Sequence, residues 1–214
     1  MMAGVDYLDL PFWDRPDLSP YLIHLTKRKN ELSAFENLVS ILKDGIIKSS
    51  GNSGFIQGTS RASCFMGIPF SALKHLLTKE NCNPQKPRYE PYGVFFTKKF
   101  GYEEGVRPVL YISKKEAKML NIPDAEKWRI VTFQINKDQS WISWLHEREW
   151  RKKDDFELPT NAGVLVRTDN DAKKLYKMLY EEPDEYEIIP RIILPLVTIC
   201  QGLKDKKKRT TAKR

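Results

Sequence analysis

The sequence predicts an α+β fold, and three observations carry that expectation. Apolar residues recur at spacings of three and four in two separate stretches, 32–42 and 169–180, the period of an amphipathic helix. Between and after them lie short β-branched and aromatic runs bounded by Gly, Pro, Asn or charged turns, which read as strands. The two kinds of segment do not alternate as regular βαβ units, and no internal repeat is found.

In chain order, residues 1–20 carry Pro11, Pro16 and Pro20 around Phe12 and Trp13, an extended arm that packs its aromatics onto the body. Residues 21–25 form a short apolar strand. The first helix has Ser33 as N-cap with Glu36 three residues on, the capping-box arrangement, and Gly45 fits its C-terminal cap. Ile46 and Ile47 resume extended chain. Residues 49–63, rich in Gly and Ser, make a mobile surface loop whose Gly51, Gly54 and Gly58 match no phosphate-binding fingerprint. Residues 64–70 are apolar, 71–77 a short helix, and 78–91 a loop with Pro84, Pro87 and Pro91. Residues 92–96 are an aromatic strand followed by a charged turn. Then come a strand at 108–112, a short helix at 114–120, an alternating strand at 128–135, and 140–151 in the same style. Residues 163–166 are a strand, 169–180 a helix with Ala172, Leu175, Met178 and Leu179 inward, and 188–199 one or two closing strands around Pro190 and Pro195.

The chain has 214 residues, a 41% hydrophobic fraction and a formal net charge of +8. That length and apolar content fit one compact domain, residues 1–203, and exclude disorder over most of the chain. The basicity is local: residues 204–214 hold seven Lys or Arg and one Asp, a net of +6, which leaves +2 for the rest. A like-charged tail of this kind is expected to be disordered and to offer non-specific phosphate contacts. With no membrane-length apolar run and no signal-peptide pattern, a cytoplasmic protein without membrane contact is expected. Cys64, Cys82 and Cys200 are too scattered for a disulfide framework, and with three histidines they give no zinc-ligand spacing, so no metal is expected.

Three segments carry side chains suited to chemistry. His24-Leu25-Thr26 puts a His and a Thr on one face of a strand. Residues 92–96 place Tyr92 and Phe96 on an aromatic strand. In 146–151 the same period of two puts Glu147, Glu149 and Arg151 on one face, and His146, Arg148 and Trp150 on the other. Two carboxylates so spaced are costly to bury unpaired and call for cations, a ligand or water. The plain reading of this hexapeptide is a solvated edge strand with cross-strand salt bridges.

The stretch from Tyr21 to Gly45, with His24-x-Thr26 and then Asn37-Leu38-x-x-Ile41-Leu42-x-x-Gly45-Ile46, resembles the opening of the DarT-like ADP-ribosyltransferases. Arg61-x-x-Cys64-Phe65, Tyr92-Gly93-Val94-x-Phe96 and Glu147-x-Glu149-Trp150-Arg151 resemble the AbiGi family of abortive-infection, phage-defence proteins. The resemblance implies a split antiparallel sheet that grips NAD as substrate. It implies a ribose hydrogen bond for His24, a cofactor-fixing role for Thr26, a pyrophosphate contact for Arg61, and packing near the nicotinamide for Tyr92 or Phe96. Glu149 would orient the nicotinamide ribose and stabilise the positive charge developing there, and Glu147 would position or deprotonate the acceptor. The acceptor would be DNA, RNA or a protein, and a cognate antitoxin protein is an implied partner. The Tyr-Gly-x-x-Phe strand is similar to the poly-ADP-ribose-polymerase branch and Glu-x-Glu to the arginine-serine-glutamate branch, so neither branch's roles transfer as a set.

Two other functions compete. A non-catalytic binding or antitoxin module on the same fold would show Glu149 tied to Arg151 or Arg148, with no cleft reaching it. A metal-dependent nuclease would use Glu147, Glu149, Lys152 and Asp154; it needs acidic residues converging on a divalent ion from separate elements, and the spacing Asp…Glu-x-Lys is absent. A Ser or Cys hydrolase lacks its nucleophile turn.

Overall fold

The computed structural model of the chain describes residues 15–29, 31–51, 56–83, 85–138, 140–200 and 203. The first fourteen residues of the expected arm and the basic tail, 204–214, lie outside the described residues.

The first half runs β1 (Tyr21–Leu25), α1 (Ala34–Asp44), β2 (Ile46–Ile47), β3 (Ala62–Met66), α2 (Leu73–Leu76), β4 (Gly93–Thr97) and α3 (Lys98–Glu103). Next come β5 (Arg107–Pro108), β6 (Leu110–Ile112), α4 (Lys114–Met119), β7 (Ile130–Thr132), β8 (Gln134–Ile135) and β9 (Trp141–Ile142). The chain closes with β10 (Glu149–Lys153), β11 (Phe156–Glu157), β12 (Gly163–Val166), α5 (Asp169–Glu181) and β13 (Ile192–Pro195). The fold is α+β: seven strands form one open sheet in the order β13-β12-β4-β1-β3-β10-β5. Its neighbours are antiparallel except β12 and β13, which run parallel with α5 as the crossover between them.

Local chemistry sets the helices where the sequence places them. The Ser33 hydroxyl accepts from the Glu36 N–H while the Glu36 carboxylate accepts from the Ser33 N–H, which satisfies two donors at the start of α1. Gly45 ends α1 at φ 67°, a left-handed position natural to glycine. Thr168 and Asp171 make the same reciprocal cap on α5. Leu38 and Leu42 of α1 and Leu175 of α5 are fully buried, each contributing roughly 1.5–3 kcal/mol by leaving water. Together α1 and α5 cover one face of the sheet, over Leu22, Phe65, Val94, Phe96 and Val164. The other face, with Ile23, Met66, Phe95 and Leu165, is covered by α2 and the turn at Leu196.

Four sequence expectations need correction. Ala62 and Ser63, expected in the surface loop, open the central strand β3. Ser63 can be buried there because its hydroxyl donates to Ile47 O and Asp154 O. The charged turn after β4 is instead the helix α3, capped by Thr97. The strand expected at 128–135 begins inside a 3₁₀ helix, Asp124–Arg129, and then splits. Its two pieces, β7 and β8, pair with β6 and β9 respectively. The strand expected at 140–151 is broken by a 3₁₀ turn, Leu145–Glu147, with consequences for the site.

Candidate functional site

The sheet is built of two well-laddered parts. β1 pairs with β4 along its whole length, from Tyr21↔Thr97 to Leu25↔Gly93, and β3 pairs with β10 from Glu149↔Met66 to Lys153↔Ala62. The parts meet where β1 and β3 pair through Ile23↔Met66. Beyond that point the strands diverge, and Ser50 takes up Ala62 with two hydrogen bonds of 2.9 Å. A cleft opens in the divergence. It has two adjoining lobes, of about 390 and 760 Å³, which share Lys27, Ser50, Cys64, Arg88, Tyr89, Glu147 and Glu149 on their walls.

His24 spans the gap between the strands: its Nδ1 donates to the Cys64 carbonyl at 2.8 Å. A carbonyl only accepts, so Nδ1 carries the hydrogen. Burial holds the imidazole below its usual pKa, against the opposing pull of that bond, and the ring is neutral at pH 7. Nε2 is therefore a lone-pair acceptor, and His24 lines the first lobe. Thr26, also on that wall, is 5% exposed, and its hydroxyl hydrogen is spent on Ala34 O at 2.7 Å. Thr26 ties the end of β1 to the start of α1.

The two carboxylates reach the cleft by different routes. Glu147 closes the 3₁₀ turn, with its N–H on Trp144 O and the Arg148 N–H on Leu145 O. Arg148 is left-handed, and β10 begins at Glu149. The pair thus does not continue one strand as its spacing suggested, yet both residues line both lobes. Glu147 accepts from the Tyr89 hydroxyl. Burial pushes the Glu147 carboxyl above its usual range, the Tyr89 bond pulls it back, and the charge of Glu149 adds to the rise. Glu149 is 8% exposed and forms a two-pronged ion pair with Arg151, itself 1% exposed. The Glu149 N–H donates to the Tyr111 hydroxyl at 2.8 Å. Cys64, between the lobes, has its thiol pushed up to about 12 by burial and then by the charge of Glu149, so it stays protonated and is a poor nucleophile.

No protein-family model, no curated protein and no solved structure matches the chain.

Three other residues singled out in the sequence are engaged away from the cleft. Arg61 clasps Ser49, through Nε to Oγ at 3.1 Å and a terminal nitrogen to the carbonyl at 2.6 Å, and lines neither lobe. Tyr92 packs edge-on to Phe35 and donates to Asp171, and Phe96 stacks on Phe156 at 4.6 Å inside the core. In these positions none of the three lines either lobe of the cleft. An aromatic ring and a cation do stand beside the carboxylates, but they are Tyr89 and Arg88, from a loop that read as a proline-rich connection. The signal was there: Arg88-Tyr89 sits between Pro87 and Pro91, and Tyr89 is an isolated large ring in a polar loop. Arg88 lies over the Trp144 ring at 5.0 Å, Lys27 and Lys29 add positive charge to the walls of the first lobe, and Lys48 there is paired with Asp44 at 2.8 Å.

Chemically, the cleft offers a neutral imidazole acceptor, a buried carboxylate held by a cation, a second carboxylate of raised pKa, and a basic rim. Such a set suits a polar, anionic ligand carrying hydroxyl groups. Among the described residues no cluster of three His, Cys, Asp or Glu side chains is placed to hold a metal ion. Among the same residues no helix is long and apolar enough to cross a membrane.

Proposed function

We propose that the chain is an NAD-dependent mono-ADP-ribosyltransferase on an ADP-ribosyltransferase-like split sheet. The observation that carries this reading is the convergence of His24, Glu147 and Glu149, from distant parts of the sequence, on one cleft where β1 and β3 part. In this reading NAD lies across the divergence with its phosphates toward Arg88 and the lysines. Nε2 of His24 accepts from a ribose hydroxyl. The C1′–N bond to nicotinamide breaks, the bonding pair leaves with nicotinamide, and positive charge develops on the ribose facing Glu149. The acceptor nucleophile attacks C1′ and gives its proton to Glu147, whose raised pKa suits a general base. The motif resemblance supports an effector of a toxin–antitoxin or abortive-infection system working on nucleic acid or protein.

One observation favours the second reading, a non-catalytic binding or antitoxin module. The Glu149–Arg151 pair offsets the charge that the chemistry needs. The cleft that reaches Glu149 argues the other way, since a module without a ligand has no need to leave it open.

The test is to incubate the protein with NAD labelled in the nicotinamide ring. Release is followed with and without single-stranded oligonucleotides, for wild type and Glu149→Gln. Release by wild type and its loss in the variant support the transferase. Saturable NAD binding with no release under any acceptor condition supports the module.

A further inference from the structure

The residue between the two carboxylates is held by a segment far away in sequence. Arg148 has φ 46° and ψ 54°, a left-handed conformation that side-chain-bearing residues other than Asn and Asp rarely visit. Its guanidinium donates to the main-chain carbonyl of Asp17 and, at 3.1 Å, to the Asp17 carboxylate. Asp17 is itself gripped by Arg15 through two bonds of 2.9 Å, and two residues on Ser19 is 3% exposed. On the backbone side, the Gly67 N–H is shared between Glu147 O at 3.3 Å and Arg148 O at 3.0 Å. A Cβ on Gly67 would stand 3.0 Å from that Arg148 oxygen and 2.8 Å from the Trp150 indole nitrogen, so the close approach suits glycine.

We infer that Arg148 is a positioning residue, with residues 15–19 as its anchor: the Asp17–Arg148 pair keeps position 148 left-handed and so holds Glu147 against Tyr89 and beside Glu149. An extended residue at 148 would put Glu147 on the line of β10, roughly 6.6 Å further along the strand from Glu149. The left-handed residue instead turns it back to the Tyr89 hydroxyl. The consequence for catalysis rests on the NAD-cleaving reading, whereas the positioning of Glu147 does not.

The test uses the full chain as Asp17→Ala, Arg148→Val, Arg148→Gly and Asp17→Ala/Arg148→Gly. The Glu147 carboxyl is titrated by carbon NMR on glutamate-labelled protein without NAD, its signal assigned by its loss in Glu147→Gln. Nicotinamide release is measured in parallel. Asp17→Ala and Arg148→Val should bring the Glu147 titration down toward the ordinary carboxylate range. They should also cut kcat about tenfold with KM nearly unchanged, because a misplaced group costs rate rather than ground-state affinity. Arg148→Gly, free to be left-handed, should keep most of both, and adding Asp17→Ala to it should change neither, since the two positions act as one unit. An unchanged Glu147 titration in Asp17→Ala overturns the proposal. So do equal losses in the Val and Gly variants, which would mean that the guanidinium itself, and not the backbone, is what matters. Should Arg148→Val fail to fold, Asp17→Ala with and without Arg148→Gly decides alone. A wild type that releases no nicotinamide sinks the transferase reading, and the titration still decides the positioning.

Discussion

Arg151 holds both oxygens of Glu149, Nε to Oε1 at 2.7 Å and a terminal nitrogen to Oε2 at 3.2 Å, while its other terminal nitrogen donates to Trp128 O at 2.7 Å. Arg151 is 1% exposed, and Glu149, 8% exposed, meets solvent only through the cleft. The arginine therefore fixes where the carboxylate points, and the carboxylate compensates an otherwise stranded buried cation.

Arg151→Met should destabilise the fold by about 3–5 kcal/mol, because removing one partner of a buried pair leaves the other uncompensated. Glu149→Gln should cost less, since its amide oxygen still accepts from Arg151, yet nicotinamide release should vanish. Urea unfolding and release are measured on the same preparations. A Glu149→Gln protein with wild-type release would remove Glu149 from the chemistry.

His24 has two jobs that mutation can separate. His24→Ala loses the bond to Cys64 O, worth about 0.5–1.5 kcal/mol of stability, and also the acceptor at Nε2. NAD affinity by calorimetry should fall about tenfold, the scale of one lost hydrogen bond to ligand. A large drop in melting temperature with unchanged affinity would make the residue a strut across the gap and nothing more.

Glu147 makes a prediction in pH. Its carboxyl is raised in the folded state, chiefly by burial, so folding favours the protonated form. Its contribution to stability is fully present below the ordinary carboxylate range and is lost as pH rises through the raised folded value. Glu147→Gln should therefore hold or raise the melting temperature at pH 7 and flatten its pH dependence in that window. As a base Glu147 must be ionised, so the acid limb of release should lie above the ordinary carboxylate range. A melting temperature that falls at pH 7 would contradict the assignment of burial as the dominant cause.

Arg88, on the cleft wall, and Arg61, bound to Ser49, make opposite predictions. Arg88→Ala should weaken NAD binding and steepen no thermal transition, because the side chain is exposed and its loss strands nothing. Arg61→Ala should leave affinity alone and cost about 1 kcal/mol through the lost bonds to Ser49. Equal affinities in Arg88→Ala and wild type would refute the phosphate contact.

Removing residues 204–214 takes away a net of +6. Binding to single-stranded oligonucleotides should weaken evenly across sequences, and its dependence on salt should flatten, because each neutralised phosphate releases counterions. Titration at two salt concentrations reads both. Identical slopes with and without the tail would withdraw the main support for a nucleic-acid acceptor.

What was legible in the chain was local. The Ser33–Glu36 cap, Gly45, the strand at 21–25 and the inward face of α5 all follow from spacing and side-chain chemistry within a few residues. Glu147, Glu149 and His24 could be named because their residue types are unusual for such positions. What was not legible depended on distant partners. Ser63 reads as loop because only Ile47 O and Asp154 O make its burial affordable. The 3₁₀ turn before β10 is invisible in a hexapeptide with perfect two-residue alternation, since Asp17 and Gly67 impose it. Arg88 and Tyr89 belong to the site only because the loop after α2 folds back over the gap, which no periodicity encodes.

The single pairing of Ile23 with Met66 makes the cleft also the weak seam of the sheet. A fluctuation or a pulling force that parts the β1–β4 half from the β3–β10 half has one backbone pairing, the side-chain bonds His24–Cys64, Asp17–Arg148 and Tyr89–Glu147, and the packing on both faces to overcome. A molecule seated across the gap acts there as a rivet. At a hundred times its dissociation constant it adds about 2.7 kcal/mol to the folded state, and that gain falls on the opening motion. Amides of residues 23–26 and 62–66 should then slow their hydrogen exchange together, as one stitched strip, while the outer strands β12 and β13 register little.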